Sequence, residues 1–429
     1  MSHDANPHGT AGTKGAVRRF FTNNLVTLVF LFIGIAGLRV SGLALPFFIV
    51  DIVDRVARNG FLVLALIIPV LAGLGLNFAI VLGAMAGQAT IIFMTHWGIG
   101  GIWGILLCMA ISFPIALALG VLTGRLLNKA RGKEMITTLI LGFFANGIYQ
   151  LVFLILVGTL IPMKNETLVL SSGVGIRTTI DLTDGLKFGL DDLLRIPLPL
   201  FAILCGAAVL GSFPVRSVLR KRALAAREKT PLRDGVLALT GLFLAGWGIK
   251  NLVVESMYSF IRVPAGTFLV LGALCLFILF FTRTKLGQDM RTVGQDRHVA
   301  EVSGIDTDRI RITAMVMSTV LAAWGQIIFL QNLGTFSTYG SHEQVGMFAI
   351  AALLIGGASV AKATIGQAVV GLFLFHTMFI VSPLAGRALF GDAQLGEYFR
   401  SFVAYGIIGL SLALHSWKKH MQQKQGAGG

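Results

Sequence analysis

Long apolar runs separated by short polar stretches fill the chain between residues 22 and 416. A helix needs about 20 apolar residues to cross the hydrocarbon core of a bilayer, and several runs reach or approach that length. Only helices and closed barrels satisfy their backbone hydrogen bonds inside lipid. The pattern therefore predicts an all-α polytopic membrane protein with roughly 10–12 transmembrane helices. The twelve runs lie at about residues 22–45, 61–76, 78–97, 102–124, 135–157, 196–214, 235–250, 264–282, 312–333, 345–359, 364–382 and 397–416.

Glycines interrupt the apolar pattern at two places. Gly73 and Gly75 lie between the second and third runs, and Gly356 and Gly357 lie between the tenth and eleventh. Interrupted helices at membrane depth are tolerated where they are buried in protein or line a cavity. We therefore expect some of the transmembrane helices to be broken or to span only half of the membrane.

Lysine and arginine are concentrated in alternate loops. Residues 125–134 contain four of them, 216–234 seven, 283–311 six, and the segment after Trp417 three. Such residues favour cytoplasmic loops, so the pattern predicts that both termini are cytoplasmic. The predicted regions are a cytoplasmic N-terminal tail (1–21), a transmembrane domain (22–416) with an external loop (158–195) and a cytoplasmic loop (283–311), and a cytoplasmic C-terminal tail (417–429).

The external loop contains two short segments that are rich in β-branched residues. They are Thr167–Leu170 and Arg177–Ile180, and they predict a small hairpin or a short helix. Asp191 and Asp192 come just before the next apolar run, where their charges would suit a helix N-terminus.

The cytoplasmic loop has the sequence features of a short helix of its own. Asp296 can cap such a helix at its N-terminus, and Gly304 suits the left-handed residue that ends one. Asp306 or Thr307 can then cap the next apolar helix. We expect a short helix across the mouth of two transmembrane helices, where a cytosolic protein could bind it.

Composition agrees with a membrane protein. Hydrophobic residues make up 55% of the chain and charged residues 13%, whereas soluble domains contain about 25% charged residues. The net charge of +15 lies mostly in loops and is not combined with aromatic stacking positions, so a nucleic-acid partner is not expected. Cys108, Cys205 and Cys275 lie inside apolar runs and indicate neither a disulfide framework nor a metal site.

The sequence contains no recognisable catalytic motif. An ATP-binding loop needs G-x-x-x-x-G-K-[ST], and the nearest stretch, Gly356–Lys362, has Ala361 in place of the second glycine. There is no HExxH zinc motif and no G-x-S-x-G nucleophile motif. We expect no catalytic or metal site and no cofactor in this chain, so any ATP must be bound by another chain.

Polar amides inside the apolar runs are the remaining candidates for function. A buried amide without a partner costs several kcal/mol, so these side chains either bond between helices or line the path of a polar solute. The runs contain almost no charge apart from Arg39, which disfavours an ion-coupled relay and suits an uncharged, hydroxyl-bearing solute. The amides are Asn77, Gln88, Asn146, Gln150, Gln326, Gln331 and Asn332.

Three motifs resemble those of ABC importer permeases. Gly294-Gln295-Asp296, Ala300 and Ser303-Gly304-Ile305 are similar to the coupling loop of the branch that handles simple sugars, nucleosides and branched-chain amino acids. Glu134–Leu139 resembles the E-V-I-T-T-L segment of that branch, and Ala351–Gly357 resembles its A-x-L-L-G-G segment. The resemblance covers roughly residues 60 to 415. Glu301 departs from the pattern, because the family often has a small residue or an arginine there.

The resemblance implies a permease subunit of the type 2 binding-protein-dependent kind in a bacterial inner membrane. Its expected partners are two cytosolic subunits that bind ATP and Mg, a second permease (identical or homologous), an external solute-binding protein and membrane lipid. A simple sugar or a nucleoside is the expected solute; a vitamin and branched-chain amino acids stay open. The alternatives are an ion-gradient-driven secondary transporter and an intramembrane enzyme. The expected coupling residues are Gly294, Gln295, Asp296, Ala300, Glu301, Ser303, Gly304 and Ile305.

Overall fold

The computed structural model describes residues 24–163, 165, 168–222 and 231–426, and these residues are mostly helical. The tail predicted at 1–21 lies outside them. The helices are α1 (Leu25–Val40), α2 (Leu45–Ala65), α3 (Ile67–Leu71), α4 (Ile80–Trp97), α5 (Gly101–Lys129), α6 (Glu134–Leu151, continued by a π-helical turn at Val152–Leu156), α7 (Leu198–Arg222), α8 (Pro231–Val253), α9 (Ala265–Phe281), α10 (Lys285–Gln295), α11 (Arg297–Val302), α12 (Thr307–Leu333), α13 (Ser341–Ile355), α14 (Ile365–Phe390) and α15 (Ala393–Gly426).

The described residues confirm the prediction of an all-α polytopic membrane protein. Six of their helices are long and apolar enough to cross a membrane, or seven if α9 and α10, which meet at a bend of 75°, form one broken span. These candidates are fewer than the 10–12 expected, because α1 and α13 are apolar but short and α2 contains charged residues. The short helix α13 ends at Gly356, as the glycine interruption predicted.

Helix α2 corrects one expectation from the sequence. It contains Asp51, Asp54, Arg55 and Arg58, whereas the apolar pattern predicts only a connection between two runs at residues 46–60. The helix is continuous because apolar positions recur on one face and are buried in the bundle. These charges lie outside the apolar runs, and α2 is not among the candidate membrane-spanning helices, so the expectation of almost no charge apart from Arg39 in the runs stays a prediction.

Arg55 of α2 and Arg400 of α15 both contact the same aromatic ring in α14. The guanidinium of Arg400 in α15 stacks on the ring of Phe379 in α14, 3.7 Å from its centroid, and also forms an ion pair with Glu397. The guanidinium of Arg55 lies 5.7 Å from the same ring. Cation–π contacts and acidic neighbours compensate part of the cost of placing these charges among helices.

Helices α4, α12 and α14 form the centre of the bundle and are mostly buried. Gly83 and Gly87 allow α4 to approach α12 closely. A Cβ on Gly83 would overlap the carbonyl oxygen of Thr319, and a Cβ on Gly87 would overlap that of Ala323. These two glycines, four residues apart on one face of α4, are thus a site of close helix packing. Helices α5, α6 and α8 are mostly exposed within this single chain.

Contacts at the two ends of the bundle agree with the predicted alternation of the loops. At one end, strand β1 (Thr179–Asp181) pairs antiparallel with β4 (Thr335–Ser337). At the same end, β2 (Arg195–Pro197) pairs with β3 (Arg262–Pro264). At the opposite end, the loop at Gly73 contacts Gly294. The segments joined by these contacts, which were predicted to share a side of the membrane, therefore meet at the same end.

Helices α7 and α8 form a hairpin at the edge of the molecule. Gly206 of α7 and Gly241 of α8 allow the two backbones to approach closely, since a Cβ on Gly206 would lie 2.7 Å from the carbonyl oxygen of Gly241. The hairpin begins after β2 and returns to β3, so the paired strands join its two ends. Part of the basic segment predicted at 216–234 lies outside the described residues.

The external loop contains the small hairpin that its sequence predicted. Val169 and Ile176 form an antiparallel bridge, and the backbone amide of Arg177 donates to the carbonyl oxygen of Leu168. Thr167 lies outside the described residues. Asp191 does not cap the next helix, because α7 begins only at Leu198 and the Asp191 side chain is buried elsewhere.

Candidate functional site

The short helix α11 forms where the sequence predicted it, between α10 and α12. The Asp296 carboxylate accepts a hydrogen bond from the backbone amide of Val299 at 3.1 Å and so caps its first turn. Gly304 ends it with a φ of +79°, which a residue with a side chain rarely adopts. Asp306 caps α12 by accepting a hydrogen bond from the amide of Arg309 at 3.0 Å. The two caps and the glycine fix α11 as a separate element.

Close backbone contacts attach this element to the bundle. A Cβ on Gly294 would overlap the carbonyl oxygen of Leu71, and one on Gly73 would lie 2.7 Å from the Cα of Gly294. The side chain of Ala300 is fully buried, and that of Ile305 is half-buried. A displacement of α10 or α11 must therefore also move the loop after α3.

Ion pairs join α11 to the start of α12 and to the end of α5. Asp308 accepts from Arg131 at 3.1 Å and from Arg297 at 3.2 Å. Arg297 also donates to Glu301 at 2.7 Å, and Thr307 donates to the same carboxylate oxygen at 3.0 Å. The hydrogen bond from Arg297, together with that from Thr307, lowers the pKa of the Glu301 carboxyl. Glu301, the departure from the family pattern, is thus a partner in this network.

The outer face of α11 exposes apolar side chains. Val299 is 52% exposed and Val302 is 75% exposed. Gln295 and Ser303 are also exposed at the two ends of the helix. Exposed apolar groups surrounded by charged residues are typical of a protein interaction site, and this face can bind a groove on another chain.

Glu134, the first residue of the second motif, has a structural role beside this element. Its carboxylate lies 2.8 Å from the guanidinium of Arg311 in α12, and both side chains are largely buried. Arg311 also donates to the carbonyl oxygen of Leu127 at 3.2 Å. The pair therefore ties the C-terminal end of α5 and the N-terminal end of α6 to α12, about one turn after α12 begins.

Two of the candidate amides meet in the middle of the bundle. The Gln88 amide donates to the Tyr149 hydroxyl at 3.0 Å and to the Thr338 carbonyl oxygen at 2.6 Å. Gln326 donates to the Gln88 side-chain oxygen at 3.2 Å. All of these groups are buried, so the network joins α4, α6 and α12 to the segment between β4 and α13.

Asn146 continues this polar region toward the surface. Its amide donates to the Glu343 carboxylate at 2.8 Å, and its oxygen lies 2.9 Å from Nε2 of the buried His342. Gln150, one turn later on α6, is half-buried and has no side-chain hydrogen bond within the described part of the chain. The pair was predicted to share one face of a helix, and that face is directed from the buried network toward the open surface.

The other three amides lie apart from this region. Asn77 donates to the Ser318 hydroxyl at 3.1 Å and contributes to helix packing. Gln331 and Asn332 donate to the carboxylate of Asp191 at 3.0 and 2.6 Å. The structure therefore does not bring all seven candidate path residues together.

Asp191 is a residue whose role the sequence did not reveal. Its carboxylate is 1% exposed and accepts from Gln331, Asn332 and the hydroxyl of Thr267. The three donors fasten the external loop to α12 and α9. His342 and Glu343 were missed as partners of Asn146 because their contacts join residues far apart in the sequence.

A known protein family matches residues 48–412, which is most of the chain. Its description is the branched-chain amino acid transport system / permease component. The chain belongs to this family. It is thus an ABC transporter permease component, as the three motifs had indicated. No solved structure matches this permease.

Several curated proteins resemble parts of this permease. The nucleoside ABC transporter permease protein NupB of Lactococcus lactis is 26% identical over 136 residues, 31% of this chain and 36% of NupB. BraD of Pseudomonas aeruginosa, a high-affinity branched-chain amino acid transport system permease protein, is 29% identical over 175 residues, 41% of this chain and 51% of BraD. The xylose transport system permease protein XylH of Haemophilus influenzae is 34% identical over 94 residues, 22% of this chain and 25% of XylH. The matches thus span about half of the length of these relatives or less.

Proposed function

We propose that this permease is the membrane-spanning subunit of an ABC importer that moves a small polar solute with energy from ATP hydrolysed on partner subunits. The observation that supports this most strongly is α11, a capped helix that presents Val299 and Val302 outward and packs on the bundle through the buried Ala300, while Gly294 of the preceding α10 contacts the loop after α3. A helix of this form can receive a push from a bound protein and pass it to the long helices.

Two cytosolic ATP-binding subunits would each bind α11 of one permease, with ATP and Mg held on those subunits. A second permease, identical or homologous, would complete the path, and an external binding protein would deliver the solute at the end where β1 and β4 pair. This arrangement places the chain in a bacterial inner membrane with both termini in the cytoplasm. The clustering of basic residues in the loops of the α11 end supports that orientation.

The proposed solute is uncharged and rich in hydroxyl groups, such as a simple sugar or a nucleoside. Asn146 and Gln150 offer amide donors and acceptors, and Glu343 offers a carboxylate acceptor, on the side of α6 that continues to the open surface. The names of NupB and XylH refer to nucleosides and xylose, which have this chemistry. BraD is named for branched-chain amino acids, and this class remains the alternative solute.

Cross-linking tests the coupling surface directly. Val302→Cys on α11 should cross-link to a co-expressed ATP-binding subunit, whereas Val253→Cys, equally exposed at the end of α8, should not. Asp296→Lys and Gly304→Pro should leave membrane insertion intact and abolish ATP-dependent uptake, because they remove the cap and the left-handed end of α11. Normal uptake and ATPase stimulation in both variants would refute the proposal.

One observation supports the alternative function, an ion-gradient-driven secondary transporter. The sequence disfavoured it because the apolar runs lack charge, but α2 contains four charged residues, and one of them, Arg55, lies against the same Phe379 ring as Arg400. Uptake by the purified chain alone in vesicles, abolished by an uncoupler and indifferent to ATP, would establish this alternative. Uptake that requires the ATP-binding subunits would exclude it.

A further inference from the structure

An open groove of about 610 Å³ lies between α5 and α12. It is next to residues 294–306, which contain α11 and which we call the coupling element. Its floor consists of Leu117 and Val121 from α5 and of Ile312 and Val316 from α12. Its volume falls in the range of roughly 300–1,000 Å³ that is typical of small-molecule sites. The groove faces outward from a mostly exposed helix, so a membrane lipid can reach it from the side.

Glycines fix how the two helices cross beneath the groove. A Cβ on Gly120 would lie 2.7 Å from the Cα of Val316, and one on Gly124 would lie 2.8 Å from the Cα of Ile312. The helices therefore touch along this line, and the groove lies beside it.

Each wall of the groove changes from apolar to charged toward α11, where the carboxylates of Asp306 and Asp308 line the groove together with Arg309. On α5, Leu117 and Val121 are followed at the same helical spacing by Arg125. On α12, Val316 and Ile312 are preceded on the same face by Arg309. The apolar part of α5 extends over about 12 Å to Arg125, at 1.5 Å per residue, which is close to the roughly 15 Å of hydrocarbon in one leaflet.

The side chains of Arg125 and Arg309 differ from the acidic side chains at this end in having no polar partner within the described residues. Asp308 is already paired with Arg131 and Arg297, and the Asp306 carboxylate caps α12. The side chains of Arg125 and Arg309 are exposed and form no ion pair or side-chain hydrogen bond within the described residues. Their guanidinium groups are therefore available for an anion at the aqueous end of the groove.

We propose that the groove binds an anionic phospholipid. Its acyl chain lies along the apolar walls, and its phosphate contacts Arg125 and Arg309, which can reach the headgroup level as long basic side chains do. The lipid then rests on α12 within one turn of Asp306, where the coupling element ends. Occupancy of the groove thereby stabilises one position of α12 relative to α5.

Native mass spectrometry of the purified, delipidated permease tests this proposal. Phosphatidylglycerol should bind at least about tenfold more tightly than phosphatidylcholine, and the double variant Arg125→Gln/Arg309→Gln should lose that preference. Thr313→Trp, which fills the groove, should weaken the binding of both lipids. Arg283→Gln removes an exposed arginine at the same end of the bundle and should bind phosphatidylglycerol as the unaltered chain does.

Equal affinity of the unaltered chain for the two lipids would overturn the proposal, and this result needs no variant to fold. Unchanged binding by the folded double variant would do the same. Disulfide formation between two copies of Thr313→Cys in membranes would show that a second permease covers the groove instead of a lipid. The measurement uses the permease alone, so its outcome is independent of whether the chain imports a solute with ATP-binding subunits.

Discussion

The two ends of the bundle hold their loops by opposite means. At the coupling end, Asp308 and its partner Arg131 are each about half exposed, and their atoms are 3.1 Å apart. At the other end, Asp191 is almost completely buried and accepts three side-chain hydrogen bonds. Both regions use a carboxylate with several partners, yet one is in contact with water and the other is not.

This difference sets how easily each region can rearrange. An exposed ion pair contributes about 0–1 kcal/mol, because water replaces a lost partner. A buried polar group that loses its partner is destabilised by about 1–3 kcal/mol, and more if it is charged. The coupling end can therefore exchange its pairs during a conformational change, whereas the external loop is held fixed to α9 and α12. Four predictions test this comparison.

The largest effect is expected from Asp191→Ala. The change leaves the buried side chains of Gln331, Asn332 and Thr267 without their acceptor. The free energy of unfolding should fall by about 3 kcal/mol or more, measured by thermal unfolding in detergent. The matched control is Asp192→Ala, which removes only the exposed pair with Arg195 and should change stability by less than about 1 kcal/mol. Similar losses in the two variants would contradict the comparison.

The second effect is expected from Gly294→Ala. The new Cβ would overlap the backbone of Leu71, which cannot rotate away as a side chain could. We expect a loss of about 2 kcal/mol, typical of overpacking, together with weaker stimulation of the ATP-binding subunits. Gly272→Ala in α9 meets open space and should leave both measurements intact. ATPase stimulation that survives in Gly294→Ala would argue against a role for this contact in coupling.

The third effect separates the neighbouring amides on α6. Asn146→Leu removes the bonds to Glu343 and His342 and should reduce stability by about 1–2 kcal/mol as well as uptake. Gln150→Leu removes no such bond and should reduce uptake with a stability change below about 0.5 kcal/mol. Uptake assays and thermal unfolding of the same preparations measure both quantities. Equal loss of folded protein in the two variants would indicate that Gln150 serves packing as well.

The smallest effect concerns pH at the coupling end. The bond from Arg297 lowers the pKa of Glu301 below its ordinary value of 4.5. Because the pKa is lowered in the folded protein, this bond stabilises the fold at pH values above the ordinary pKa of 4.5. The stabilisation is lost as the pH falls through the lowered pKa. ATPase stimulation should therefore not change through Glu301 between about pH 8 and pH 5. A step in that window that disappears in Glu301→Gln would show that the carboxyl titrates there.

Local signals in the sequence predicted the coupling element well. Asp296, Gly304 and Asp306 each act within four residues, and the structure confirms the short helix and both of its ends. Capping and left-handed glycines are properties of the nearby backbone, so they can be read without knowledge of the fold.

Long-range contacts and charged helices could not be predicted in the same way. Asp191 finds Gln331 some 140 residues away, and Gly294 meets Gly73 across a larger gap still. Helix α2 was not predicted because its charges interrupt the apolar pattern, while contacts such as that of Arg55 with the ring of Phe379 join it to α14, more than 300 residues further along the chain. Such partners are fixed by tertiary packing, which no local pattern encodes.

The pairing of β2 with β3 also has a consequence for rebuilding the gene. Pro197 and Arg262 are register partners, so the chain leaves the body for the α7–α8 hairpin and re-enters it at the same point. A short turn joining these two residues would remove both helices of the hairpin. Every later segment would therefore stay on the same side of the membrane. The same junction can accept a reporter domain, which makes it the natural place to shorten or tag this chain.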